Sequence, residues 1–96
     1  MITLDPVVRE CVEEMREKLG HPGIAQERDK IVKKLEEASY NPGDVGVMAD
    51  CILAVLLAAR SQGFAPQTVF ESLEARCKEL KGRDWKQMPD GTFQAI

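Results

Sequence analysis

The run "VGVMADCILAVLLAA", residues 45 to 59, limits what this chain can fold into more than any other feature. Val47, Met48, Ala49, Cys51, Ile52, Leu53, Val55, Leu56 and Leu57 are distributed around a helix with no polar face between them. A helix of that kind is buried on every side. The run falls short of the roughly 18 residues a membrane span needs, and Asp50 interrupts it. It therefore reads as the central helix of a packed domain. The chain has 96 residues, and three other short helices have little surface to cover such a helix. The pattern predicts an all-α four-helix bundle completed by dimerisation.

The other helices are marked by their ends. Asp5 and Pro6 form an N-cap followed by a first-turn proline. Val8, Cys11, Val12, Met15 and Leu19 then recur at three- and four-residue steps, so a helix is expected from 6 to 19, stopped by Gly20 and Pro22. A second helix is expected from 24 to 39, with Ile24, Arg28 (through its aliphatic stem), Ile31, Val32, Leu35 and Ala38 as its stripe. For the third, Asn41 is the expected N-cap, Pro42 the first residue and Asp44 the third, where an acid suits the helix dipole. That helix should end near Gln62, with Gly63 as its stop. The fourth begins at Pro66 and carries Val69, Phe70, Leu73, Cys77 and Leu80. After Gly82 the periodicity stops and "PDG" signals a turn. Residues 82 to 96 are expected as an irregular tail, holding whatever β-structure exists and docked on the bundle by Trp85 and Phe93, within a single domain spanning 1 to 96.

Composition excludes several functions. The net charge is -3, and Lys and Arg alternate with Glu, so no basic stripe points to nucleic acid. Cys11, Cys51 and Cys77 are odd in number and widely spaced, which argues against a disulfide framework and for a reducing, cytoplasmic setting. No Cys/His spacing suggests zinc, and neither a signal peptide nor a membrane anchor is expected.

Asp50 is the chemical question. A carboxylate among apolar residues needs a partner or stays protonated. The stretches "KKLEEA", "NPGDVGVMADC", "ILAVLLAARSQG" and "RDW" follow one another at fixed spacing from Lys33 to Trp85. In that order they resemble the MazG-like all-α NTP pyrophosphohydrolases, closest to the dATP/dGTP diphosphohydrolase branch common in phages and bacteria. The resemblance covers Ile31 to Ile96, about two thirds of the chain. It implies a MazG-like bundle in which acids on two neighbouring helices hold Mg²⁺ against nucleotide phosphates. Hard carboxylate oxygens suit that ion, which polarises a phosphoryl oxygen and activates water.

Carried over residue by residue, the implied metal site is incomplete. The first family Glu falls on Lys34, the second on Glu37, the third on Val47, the Asp on Asp50, and a later Asp on Leu57. Only Glu37 and Asp50 remain as metal candidates. Arg83 and Trp85 match late family positions and, with Lys34, are the candidate nucleotide contacts, while a family Lys is Arg76 and a family Asn is Leu80. Glu36 and Asp44 point away from the site by the 100° step of a helix and do not substitute. Glu13, Glu14 and Glu17 form an EExxE string, but charged helix faces produce such strings often. The competing reading makes Lys34 the partner of Asp50 in a buried ion pair. His21 reads as a loop histidine, and no base stands beside Ser39 or Tyr40 for a nucleophile role. The expected function is thus a non-catalytic or very weakly catalytic MazG-like protein that binds a nucleotide or a protein partner. The alternatives are an active Mg²⁺-dependent (d)NTP pyrophosphohydrolase and, given the phage-rich family, an inhibitor of a host defence system of the anti-CRISPR kind.

Overall fold

The computed structural model describes residues 6–96, so the expected cap at Asp5 lies outside the described residues. The chain is an all-α helical bundle: α1 (Pro6–Lys18), α2 (Ile24–Tyr40), α3 (Val45–Ser61) and α4 (Pro66–Leu80), followed by a two-stranded hairpin of β1 (Trp85–Gln87) and β2 (Phe93–Ala95). Among the described residues no single helix is long and apolar enough to cross a membrane.

Helix boundaries follow the punctuation, with one correction. Gly20 at φ +73° ends α1 and Gly63 at φ +89° follows α3, both in the left-handed region that glycine enters at little cost. His21 also has positive φ, at 57°. Gln26 Oε1 accepts from the Gly23 backbone N–H at 3.0 Å, closing the start of α2. The correction concerns "NPGD". Asn41 caps the C-terminus of α2, its N–H donating to the carbonyl of Glu37, and α3 starts one short turn later. The N-cap of α3 is Asp44, whose Oδ1 accepts from Gly46 N–H at 3.0 Å. Both Asn and Asp make good caps, and the turn through Pro42 and Gly43 places the acid there.

α3 is the hub. α2 runs along one side of it, while α1 and α4 pack on the other through Val12, Leu56 and Leu57, joined by Val8, Met15, Leu53, Val69 and Phe70. Arg60 of α3 ties to Glu13 of α1, Nε to Oε1 at 2.6 Å.

The core is small. As expected, the other helices do not cover α3 within one chain: Val47, Ala54, Leu56 and Leu57 are buried, whereas Val45, Met48, Ile52 and Val55 are 80%, 50%, 54% and 46% exposed. Two expectations change. First, the face of α2 turned inward is shifted. Glu27 is buried at 3% exposure, Ile31, Lys34 and Ala38 are partly buried, and the expected stripe residues Ile24, Val32 and Leu35 stand about half exposed. On α4, Leu73 and Cys77 are likewise exposed. Second, the tail is a regular hairpin, not an irregular segment. Trp85 pairs with Ala95 and Gln87 with Phe93 in antiparallel register. Asp90 holds its turn, accepting from Thr92 N at 2.9 Å and Thr92 Oγ1 at 2.6 Å. Trp85 and Phe93 are 48% and 63% exposed, so neither aromatic is buried against the helices as a docking anchor.

Candidate functional site

Val47, Asp50 and Ala54 recur at three- and four-residue steps and share one face of α3. Asp50 meets Lys34 of α2 there. Lys34 Nζ lies 3.3 Å from Asp50 Oδ2 and 3.5 Å from Glu37 Oε2. Lys34 and Glu37 are one turn apart on α2, so one ammonium reaches a carboxylate on its own helix and one across the helix pair.

The cluster is open to water. The side chains of Lys34, Glu37 and Asp50 are 30%, 47% and 50% exposed. This corrects the expectation of a buried pair: Asp50 sits in an apolar sequence but at the edge of the α2–α3 contact. The Lys34 pKa is raised above its ordinary 10.5, first by the hydrogen bond to Asp50, then by the negative charges of Glu37 and Asp50. The ammonium is therefore held charged.

The positions that the resemblance assigns to metal ligands have changed in kind. Lys34 places a cation between the two remaining carboxylates. Val47 and Leu57 are 3% and 1% exposed and belong to the core. Among the described residues no three His, Cys, Asp or Glu side chains stand together in a way that could hold a metal ion. Glu37 and Asp50 are the two carboxylates left at the assigned positions, and the Lys34 ammonium lies against both, so Mg²⁺ held there with waters and phosphate oxygens would have to displace it.

The structure brings Lys34, Glu37 and Asp50 together and leaves Arg83 and Trp85 apart from them. Arg83 donates through Nη2 to the main-chain oxygen of Ile96 at 3.2 Å, bracing the hairpin that carries Trp85. No hydrogen bond or ion pair joins either residue to the lysine cluster among the described residues. The EExxE string is shared out in the same way. Glu13 binds Arg60, Glu14 binds Lys18 at 2.8 Å, and Glu17 meets His21 at 3.1 Å. Asp44 is committed to its cap.

One polar group escaped the sequence reading. Glu27 is buried in α2, with Oε2 lacking a hydrogen-bond partner, and Arg16 Nε on α1 is similarly buried and unpartnered. The available signal was spacing: Glu27, Ile31, Lys34 and Ala38 lie at steps of four, three and four. Arg28 stands next to Glu27 and fits the apolar stripe through its stem, which favoured the wrong neighbour.

No protein-family model matches this chain, and no curated protein or solved structure matches it.

Proposed function

We propose that the chain is a non-catalytic protein, derived from a MazG-like bundle, that works in the cytoplasm by binding a protein partner. One observation carries the reading: the Lys34 ammonium stands between Asp50 and Glu37 at 3.3 and 3.5 Å, where the resemblance would put a divalent ion. An ammonium has the charge to neutralise these acids but no empty coordination position. It has no site at which to bind a water and generate a metal-bound hydroxide. The replacement of two further acids by buried Val47 and Leu57 supports the same reading, since core aliphatics leave no room for a second ligand pair. A protein is favoured over a nucleotide as partner because large apolar side chains on α2 and α3 remain exposed, while Arg83 is engaged within the hairpin.

The test is pyrophosphate release from a panel of dNTPs with Mg²⁺, run beside thermal shifts with the same nucleotides. Release at background and no nucleotide-dependent shift are expected. Metal-dependent turnover that disappears in Asp50→Ala would overturn the proposal. A nucleotide shift without turnover would replace the protein partner by a nucleotide.

A further inference from the structure

We infer that the outer edge of β1 is a docking site for an extended acidic segment of another protein, which joins the hairpin as a third strand. Ile96 N donates to the Asp84 carbonyl at 2.9 Å, and Met88 N donates to the Thr92 carbonyl at 2.6 Å. These bonds bracket the ladder of Trp85 with Ala95, Lys86 with Gln94 and Gln87 with Phe93. In an antiparallel pair, bonded and non-bonded positions alternate. Asp84, Lys86 and Met88 therefore turn their N–H and C=O groups into the hairpin, and Trp85 and Gln87 turn theirs outward. Such a row of outward groups is a template for a further strand. All three residues of β1 are exposed, and among the described residues neither Trp85 nor Gln87 bonds to a helix through its backbone. A two-stranded hairpin is marginal by itself and gains stability from a third strand.

The side chains say what that strand carries. Trp85, Gln87, Phe93 and Ala95 share one face of the hairpin, with Trp85 diagonal to Phe93, and Lys86 and Gln94 share the other. A strand added beside β1 alternates in the same way. Its residues on the first face lie against the exposed Trp85 ring, where apolar groups fit. Those on the second face lie beside Lys86, where acids fit.

Charge selects the edge and the occupant. Residues 76–96 hold five Lys and Arg against three Asp and Glu, whereas the first 75 residues hold eight against thirteen. Within the basic part, Arg76 pairs with Glu79 at 3.0 Å, Lys78 with Glu74 at 3.3 Å, and Arg83 donates to the Ile96 oxygen. Among the described residues Lys86 is held by no carboxylate, and it projects from β1 itself. β2 carries no charge, so its edge has no means of choosing an acidic strand. A second copy of β1 is disfavoured, because it would bring lysine against lysine, the device by which edges avoid their own kind. Nucleic acid is disfavoured as well: the outward N–H and C=O groups match a peptide backbone, and Asp84 and Asp90 near this edge repel phosphates.

The docked strand gives the protein-binding reading of the proposed function a surface and a partner class, and it rests on that reading. The two fail separately. Peptide binding beside metal-dependent dNTP turnover would overturn the proposed function and leave this edge standing. Absence of both would overturn the edge and leave the chain non-catalytic.

The experiment titrates the whole chain with a short capped peptide alternating glutamate and valine. Trp85 is the single tryptophan, so its emission reports the edge directly. A blue shift is expected, with amide resonance shifts confined to the hairpin and largest at Trp85 and Gln87. Gln87→Pro removes one outward donor and no ladder bond, and should weaken binding about tenfold. Lys86→Glu should weaken it too, by more at low salt than at high salt. The same peptide methylated on its backbone nitrogens, offered to the wild type, should not bind, which answers even if Gln87→Pro disturbs the hairpin. A peptide alternating lysine and valine should not bind either. No response of Trp85 to the acidic peptide, equal binding of its methylated or its lysine form, or tighter binding of oligouridylate each overturns the proposal. The last result would give the edge to a nucleic acid.

Discussion

Leu57→Ala probes the fold and the altered metal site together. Leu57 is 1% exposed, one of the two largest fully buried side chains, and packs with Val12 and Leu56 where the resemblance expects a metal-binding acid. Truncating a buried leucine removes its transfer energy and leaves a cavity, at a typical cost of about 2–5 kcal/mol. A chain of this length has a total stability of about 5–14 kcal/mol. One substitution therefore removes a large share, equivalent to a fall in Tm of roughly 10–30 °C. The assay is urea denaturation followed by circular dichroism, with thermal melts in parallel. Val55→Ala serves as the control, because Val55 is 46% exposed on the same helix. Its cost stays below about 1 kcal/mol. If Leu57→Ala cost less than about 1 kcal/mol, Leu57 would not be core, and the account of why metal chemistry is lost here would fail.

Lys34→Met and Asp50→Asn should each destabilise, with the double variant costing less than the sum of the singles, and added salt should shrink the difference because the cluster is half exposed. The Lys34 pKa is raised on folding, so its stabilisation is fully present below the ordinary value of 10.5 and is lost as pH rises through the higher folded value; a Lys34→Met difference that survives beyond that range would refute the pairing. The variant combining Lys34→Glu, Val47→Glu and Leu57→Asp restores the family acids but loads two core positions with carboxylates. It should unfold without Mg²⁺ and gain stability with it, and a melt indifferent to Mg²⁺ would undo the alignment behind the proposed ancestry. At the hairpin, bonds from the Thr92 hydroxyl and then its amide hold the Asp90 pKa below the ordinary 3.8. That stabilisation is present above 3.8 and lost as pH falls through the lower folded value, so Asp90→Ala should mimic acid by collapsing the dispersion of the Phe93 and Trp85 resonances. Unchanged spectra would show that the turn does not depend on Asp90.

The sequence alone determined the elements. Helix number, the stops at Gly20 and Gly63, and the start of α4 at Pro66 are local events, written in cap and turn residues whose energetics involve only neighbours a few positions away. The pairing of Lys34 with Asp50 was also legible, because a carboxylate in an apolar run must be answered and helical spacing leaves few candidates. Tertiary structure decided what local rules leave degenerate. Asn41 and Asp44 can both cap a helix, and the geometry of the turn between α2 and α3 chose the acid. The rotation of α2 about its axis, which buries Glu27 and leaves Ile24, Val32 and Leu35 outside, depends on how α2 meets α3, and a stripe containing both Glu27 and Arg28 fits two rotations. The sequence of α3 demanded burial on all sides. Only the fold located the side that one chain leaves bare, because burial is a property of the surfaces that meet and not of the helix that carries them.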